Sequence, residues 1–515
     1  MSIHAVLKPN TYRDSVTLMA VSNAASKLEG VKQAFVAMGT PMNKAVLADL
    51  GLLTDTLNAA STADLMIVVD AHEGTDFDAV LAEIETLLTR RPKTDGGNQD
   101  ATFHSLEAAA NAEPESNFVV ISVNGAYATR EAQKALNLNK HVMLFSDNIS
   151  VEDEIRLKTL AHEKGLLLMG PDCGTAIING VGLGFANRVR RGSIGIVAAS
   201  GTGAQEASVR IHDFGGGVSQ LIGTGGRDLS EKVGARMMLD GMDMLAQDKE
   251  TKVIMLISKP PAPAIAQKVI EKASQLGKPV FIQFLGYKGD ENPFPNVRVF
   301  AHSKPAAMAA VIASGIPEES INKHALNWPL IEEVRAKLKP EQKYVRGLFC
   351  GGTLCDEALF AAREKYTDVY SNIHPDPAFR LGPTDASKGH TFLDFGDDAF
   401  TNGRAHPMID PTYRIERIKK EGRDPEVGCL LLDFVLGFGA NADPVGTTLD
   451  ALIEVKREAQ AAGRHLEVLA YVLGTDLDSP DVVSQVALLE AAGITIASSS
   501  TNAGLLAREF VFKGE

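Results

Sequence analysis

Cysteine, tryptophan and positive charge are all scarce in this chain. Its 515 residues include four cysteines and one tryptophan, and 51 lysines and arginines face 65 acids, for a formal net charge of -14. Cys173, Cys350, Cys355 and Cys429 are too few and too scattered for a disulfide framework, and no C-x-x-C pair suggests zinc. A reducing cytoplasm is the expected home. An acidic chain stays soluble but lacks the basic face that neutralises phosphates, so nucleic acid is excluded as a partner. Long apolar runs are missing too. "GLLLMG" and "VIMLI" fall well short of the roughly 20 residues of a membrane helix. The start, "MSIHAVLKPNTYRDSV", has no charged segment leading into an apolar one, so neither export nor membrane insertion is expected.

What is present is an alternation of short aliphatic runs with helix-period segments, the pattern of βαβ units and parallel sheets. "KQAFVAM", "DLMIVVD", "NFVVISV", "SIGIVAA", "KVIMLIS", "GLFCG" and "GCLLLDFVLG" are among the strands so read. Polar stretches interrupt the pattern at 90–102, read as an exposed loop, and at 316–344, read as a helical linker. With a softer boundary near 187–193, the chain divides into 1–191, 192–325 and 340–515. The last two blocks look like copies: strand, glycine-rich turn, helix, then a strand ending in glycine and acid, then a long buried strand. A duplicated flavodoxin-like α/β unit accounts for that order.

Each copy opens on a glycine loop that runs into a helix, Ser200-Gly201-Thr202-Gly203 in the first and Gly351-Gly352-Thr353 in the second. Helix starts carry unpaired N–H donors and a partial positive charge, and glycine lets an anion approach the backbone. Each loop taken singly also reads as an ordinary cap and turn. Neither is a dinucleotide or Walker loop: Glu206 stands where a third glycine would be, and Thr-Leu follows Gly352 in place of Lys-Ser/Thr. As a pair, the two helix starts would hold one phosphoryl group between them.

"GIVAASGTGAQEA", "GTGGRDLSEKVGARMMLDGMDMLAQDKETKVIMLIS" and, upstream, "SVNGAYATREA" with "LFSDNISVEDEIRLKTLAHEKGLLLMGPDCG" resemble the α subunit of succinyl-CoA synthetase. The third block is similar to the ligase domain of that enzyme's β subunit. A second resemblance spans nearly the whole chain: "DSVTLM", "MGTPMNKAVL", "GLLLMGPDCGT", "ASGTGAQE", "GGRDLS", "SKPPA", "GGTL", "GRAHPMIDP" and "GFGANADP" look like FdrA-type proteins. The resemblance implies an α/β fold with an N-terminal Rossmann-like region of CoA-binding type, followed by two flavodoxin-like succinyl-CoA-synthetase-type domains with parallel sheets. It also implies two helices that bind phosphate at their N-termini. FdrA-type proteins are similar to the subunit assigned, with two companion polypeptides, to oxamate carbamoyltransferase in purine and allantoin breakdown. That resemblance implies phosphorolysis of oxalurate to oxamate and carbamoyl phosphate.

The chain departs from the ligases at two points. No histidine occurs between His212 and His302, so the family's phosphohistidine is missing, and "LKPNTYRDSVTLM" at 7–19 has no glycine where the ligases hold CoA. A direct reaction with phosphate suits what survives. Its expected partners are small molecules: phosphate or carbamoyl phosphate and an oxamate-type acid, with companion subunits or further copies of the chain. In this reading Ser200, Gly201, Thr202, Gly203, Gly226, Arg227, Gly351, Gly352 and Thr353 bind phosphate. Arg404 adds a bidentate contact, His406 donates a proton to the leaving nitrogen, and Glu206 orients a donor. Each has a plainer alternative: a surface salt bridge for the arginines, a loop hydrogen bond for His406, a helix-dipole contact for Glu206. Asp394, Asp397 and Asp398 offer oxygen ligands for Mg²⁺ or serve as surface and turn residues; no metal site is assigned. A nucleotide-dependent acyl-CoA ligase and a non-catalytic scaffold are the alternative functions.

Overall fold

Apolar alternation at Ala34, Val36 and Met38, and at Leu65, Ile67, Val69 and Ala71, builds one face of the first sheet, onto which a helix lays Leu18, Val21 and Ala25. The computed structural model describes residues 2–89, 102–401 and 404–513, so all of the polar loop at 90–102 except Thr102 lies outside the described residues. The chain is divided between two units. The smaller gathers Met1–Thr102, Gly382–Ala386 and Phe395–Arg414; the larger holds Phe103–Leu381, Ser387–Asp394 and Ile415–Glu515.

In the smaller unit β1 (Ser2–Lys8), β2 (Val31–Met38) and β3 (Leu65–Ala71) form a sheet in the order β1-β3-β2. Both pairings are antiparallel, whereas the sequence pattern reads "KQAFVAM" and "DLMIVVD" as parts of βαβ units. The reason lies in β3. Its second face buries Met66 and Val68 against Leu47, Leu52 and Leu57, so it shows the continuous apolar run typical of a parallel core strand.

The larger unit is mainly parallel. β4 (Phe118–Ile121), β5 (His141–Leu144) and β6 (Leu168–Met169) make a three-stranded parallel sheet. Next come β7 (Thr175–Ile178), β8 (Val181–Gly184), β9 (Arg191–Ala199), β10 (Val218–Gly223), β11 (Val253–Ser258), β12 (Val280–Phe284) and β13 (Val297–Phe300). Their order is β13-β12-β11-β9-β10-β7-β8. β7 and β8 are an antiparallel hairpin whose Asn179-Gly180 turn has φ of 50° and 82°, the positive values a two-residue hairpin needs. β14 (Tyr344–Phe349), β15 (Val369–Ser371), β16 (His390–Asp394), β17 (Val427–Val435), β18 (Glu467–Leu473) and β19 (Thr495–Ile496) form the last sheet, ordered β15-β16-β14-β17-β18-β19.

With β9 or β14 taken as the first strand, β10 or β16 pairs on one side and β11 or β17 on the other, all parallel. This is the flavodoxin-like order, in which ligands bind beyond the carboxyl ends of the strands where the order reverses. The ends in question are Ala199 and Phe349, immediately before the two glycine loops. Among the described residues no helix is long and apolar enough to cross a membrane.

Candidate functional site

Ser200 caps the helix Gly201–Asp213 by accepting the Gly203 N–H at 3.0 Å. A Cβ on Gly203 would lie 2.8 Å from Ser200 Oγ and 3.0 Å from Ile257 Cγ2, so glycine there permits close packing on β11. Gly201 is different. A Cβ on it would meet nothing nearer than 3.8 Å, with Thr175 Oγ1 at 3.9 Å, and that buried hydroxyl has no hydrogen-bond partner. The first loop is thus a helix start with room for a Cβ at Gly201 and an unpaired hydroxyl close by.

The second helix, Gly352–Arg363, has Gly351 as N-cap and no capping bond from its own side chain. Asp433, buried within the otherwise apolar β17, supplies the acceptors. Its carboxylate takes the N–H groups of Cys350 and Gly351, both at 2.8 Å. Asp394, at the end of β16, stands over Gly352, where a Cβ would lie 2.5 Å from its Oδ2. One donor assigned by sequence to phosphate, the Gly351 N–H, is therefore engaged by the protein's own carboxylate, which corrects the sequence reading.

The two loops meet. Ser200 Oγ hydrogen-bonds Thr353 Oγ1, and the Thr353 N–H donates to Thr202 Oγ1 at 3.2 Å. Lys259, just past the end of β11, joins them: its Nζ lies 3.2 Å from Asp356 Oδ2 and would be 3.0 Å from a Cβ on Gly352. Burial opposes its charge, but Asp356 and Asp394 hold the ammonium above its ordinary range. Lys259 lies in the "SKPPA" motif, and its signal in the sequence is a lysine at the carboxyl end of a parallel strand. Asp433 had a signal too, as a lone acid within "LLLDF". Cys355, beside the second loop, is buried, which raises its thiol well above the usual range and makes it an inert packing group.

The remaining residues named from sequence lie elsewhere. Gly226 is exposed, and the Arg227 guanidinium is spent on Glu154 Oε2 at 2.9 Å and the Ile149 carbonyl at 2.9 Å. Arg404 and His406 belong to the smaller unit. Burial lowers the His406 imidazole to about 4, and its Nδ1 accepts the Met408 N–H at 3.3 Å. It is therefore neutral near pH 7 and unsuited to the acid role. Asp397 and Asp398 also fall in the smaller unit, whereas Asp394 belongs to the larger.

Glu206 is buried one turn into its helix. Tyr471 donates to its Oε2 and the Ser500 N–H to its Oε1 at 3.3 Å, with Arg210 Nε at 3.7 Å. This ties the first glycine-loop helix to β18 and to the start of the helix Ser500–Val511. Burial, aided by Glu357 and opposed by Arg210, Tyr471 and Ser500, raises the carboxyl from 4.5 to about 7. A carboxyl raised on folding favours the folded state below its unfolded value and loses that contribution as pH rises through its folded value. Glu206→Gln should therefore gain stability relative to the parent between pH 4.5 and pH 8, by up to about 3 kcal/mol. Urea unfolding of both proteins across that range tests it; parallel curves would remove the argument.

Four observations bear on cofactors and metals. Among the described residues, no group of three or more His, Cys, Asp or Glu is placed to hold a metal ion. The first cysteine in the chain is Cys173, so the N-terminal region has no thiolate for a soft metal. The segment 7–19 leads from β1 into the helix Ser15–Ala25 of the smaller unit, and its turn at Pro9-Asn10 contains no glycine. A polar cleft of about 380 Å³ in the larger unit, lined by Gly125, Arg130, Asn148, Ser150 and Arg156, has cations suited to phosphate, but Arg156 is already held by Asp153 and Gln133 at 2.8 Å each.

Three family models match the chain: "AllF, heavy metal-associated domain" over residues 1–105, "CoA binding domain" over 189–286 and "CoA-ligase" over 348–510. The uncharacterized protein YahF of Escherichia coli (strain K12) is 60% identical over 516 residues, covering 100% of both chains. The succinate–CoA ligase α subunit of Aquifex aeolicus is 30% identical over 192 residues, which is 36% of this chain and 61% of that protein. A dinucleotide-forming acetyl-coenzyme A synthetase of Ca. Korarchaeum cryptofilum, solved with phosphate and ADP, aligns with a TM-score of 0.29 at 15% identity, over 77% of this chain and 82% of its own. The fold is α/β, with parallel sheets in CoA-binding-like and CoA-ligase-like domains.

Proposed function

The chain belongs to the same family as Escherichia coli YahF, and from that premise we propose that it is a subunit of a carbamoyl-transferring enzyme in which phosphate reacts at the paired helix starts. The observation that carries this reading is the junction of the loops, through Ser200 with Thr353 and Thr202 with Thr353, beside Lys259. The N–H groups of Gly201, Thr202 and Gly352 and the Lys259 ammonium would hold the phosphate, with Thr175 Oγ1 as a further donor. The carboxylates of Asp394 and Asp433 lie against Gly352 and Gly351, with Oδ2 2.5 Å and 3.0 Å from where a Cβ on each glycine would be. They would accept N–H bonds from a carbamoyl or ureido group, a complement that an acyl group without nitrogen lacks.

In the direction of phosphorolysis, an oxygen of hydrogen phosphate attacks the ureido carbon of oxalurate. The bond from that carbon to the oxamate nitrogen breaks, and the proton of hydrogen phosphate ends on that nitrogen. Carbamoyl phosphate and oxamate result, with no histidine carrier. The match to an AllF domain and the FdrA-type motifs support the assignment to this reaction class, in a cytoplasmic complex with companion subunits.

The match to the CoA-ligase model favours a second reading, an acid–thiol ligase. Purified chain, assembled with its companions, separates the two. Carbamoyl phosphate formed from oxalurate and phosphate, without CoA or nucleotide, is the expected result. Thioester formation that requires CoA and a nucleotide, with no carbamoyl phosphate, would replace it. An assembled complex with neither activity points to a scaffold.

A further inference from the structure

The smaller unit contains a cavity that the proposed phosphate chemistry does not use. It measures about 260 Å³ and lies between the helix Ser15–Ala25, β2 and residues 404–412. Arg404 lines it. The guanidinium carbon sits 5.1 Å from the centre of the Tyr413 ring, and Nη1 is buried with no hydrogen-bond partner. Burial pulls the guanidinium pKa below its ordinary value, with Asp410 and Tyr413 opposing. A buried cation with an unmade hydrogen bond is costly, and native structures rarely leave one without a partner. The planar fork of arginine is matched by a carboxylate.

The remaining wall narrows the choice of ligand. Ser15, Asn23, Gln33 and Thr412 supply polar side chains, and Asp410 contributes a carboxylate whose Oδ1 accepts the Thr412 N–H at 3.0 Å and its hydroxyl at 2.5 Å. Arg404 thus asks for an anion, and Asp410, close enough to act on the Arg404 charge, asks for a donor. A volume below the roughly 300–1,000 Å³ of larger ligand pockets favours a molecule of amino-acid size over a nucleotide. We propose that this cavity binds a small carboxylate bearing a primary amide or an ammonium group, with its carboxylate on Arg404 and its donor end toward Asp410. The proposal is independent of the phosphate reading, since every residue it uses belongs to the smaller unit.

Calorimetric titration of the full chain with oxamate, L-alanine and acetate tests it. Saturable binding of oxamate or of alanine is expected, at least about tenfold tighter than acetate; which of the two binds identifies the donor as amide or ammonium. Arg404→Gln should weaken that binding by about tenfold or more. Asn23→Phe, made at an exposed position on the rim, should weaken it similarly while leaving the circular dichroism spectrum and melting temperature unchanged, and it carries the test if the arginine variant fails to fold. The proposal is overturned by any of three results: no saturable binding of oxamate or alanine, acetate binding as tightly as the better of them, or full affinity in the variants.

Discussion

Lys158→Met is expected to destabilise the larger unit by about 3–5 kcal/mol, the cost of leaving buried charges without their partner. Lys158 is wholly buried. Its three donors are matched by three acceptors at 2.8 Å: Glu154 Oε1, the Thr224 carbonyl and Asp228 Oδ1. Asp228 also receives the N–H of Met238 at 2.8 Å, at the start of the helix Arg236–Gln247, so the loss would spread from the ammonium to that helix. Chemical unfolding followed by circular dichroism measures it. The combined variant Lys158→Met, Glu154→Gln, Asp228→Asn should recover part of the loss, because it removes the stranded charges as well. A single variant as stable as the parent would show that the network contributes packing alone.

The second large effect is expected on phosphate. Lys259→Met should reduce carbamoyl phosphate formation by about a hundredfold or more, the scale of removing one preorganised electrostatic contact to a reacting anion. Lys259→Arg should restore part of it. The Lys259 side chain is 35% exposed but its partner Asp356 only 9%, so the variant should lose less stability than Lys158→Met, and circular dichroism checks that it folds. Calorimetric titration of phosphate into both proteins gives a readout that does not depend on the identity of the second substrate. Unchanged phosphate affinity in Lys259→Met would remove the lysine from the site.

Much of the larger unit was legible from local pattern. Strands such as "KVIMLIS" and "GCLLLDFVLG" are apolar on both faces because helices cover both, and their order with the intervening helices repeats in two blocks. The smaller unit was less legible. β3 is also buried on two faces, and an apolar run does not reveal the direction of its neighbours. The segment carrying Arg404 and His406 joins that unit from more than 300 residues away in sequence, a placement that spacing cannot encode.

The glycine loops mark the division most sharply. Glycine after a strand, a capping serine or threonine, and two such passages at matching places specify two helix starts from sequence alone, since capping and chain approach are decided within a few residues. Whether the starts touch, whether Asp433 occupies the donors of one, and whether Lys259 stands beside them depend on strand order across two sheets. Sequence chose the groups; the order of the strands chose which of them meet, because the ends of parallel strands gather residues that are distant along the chain.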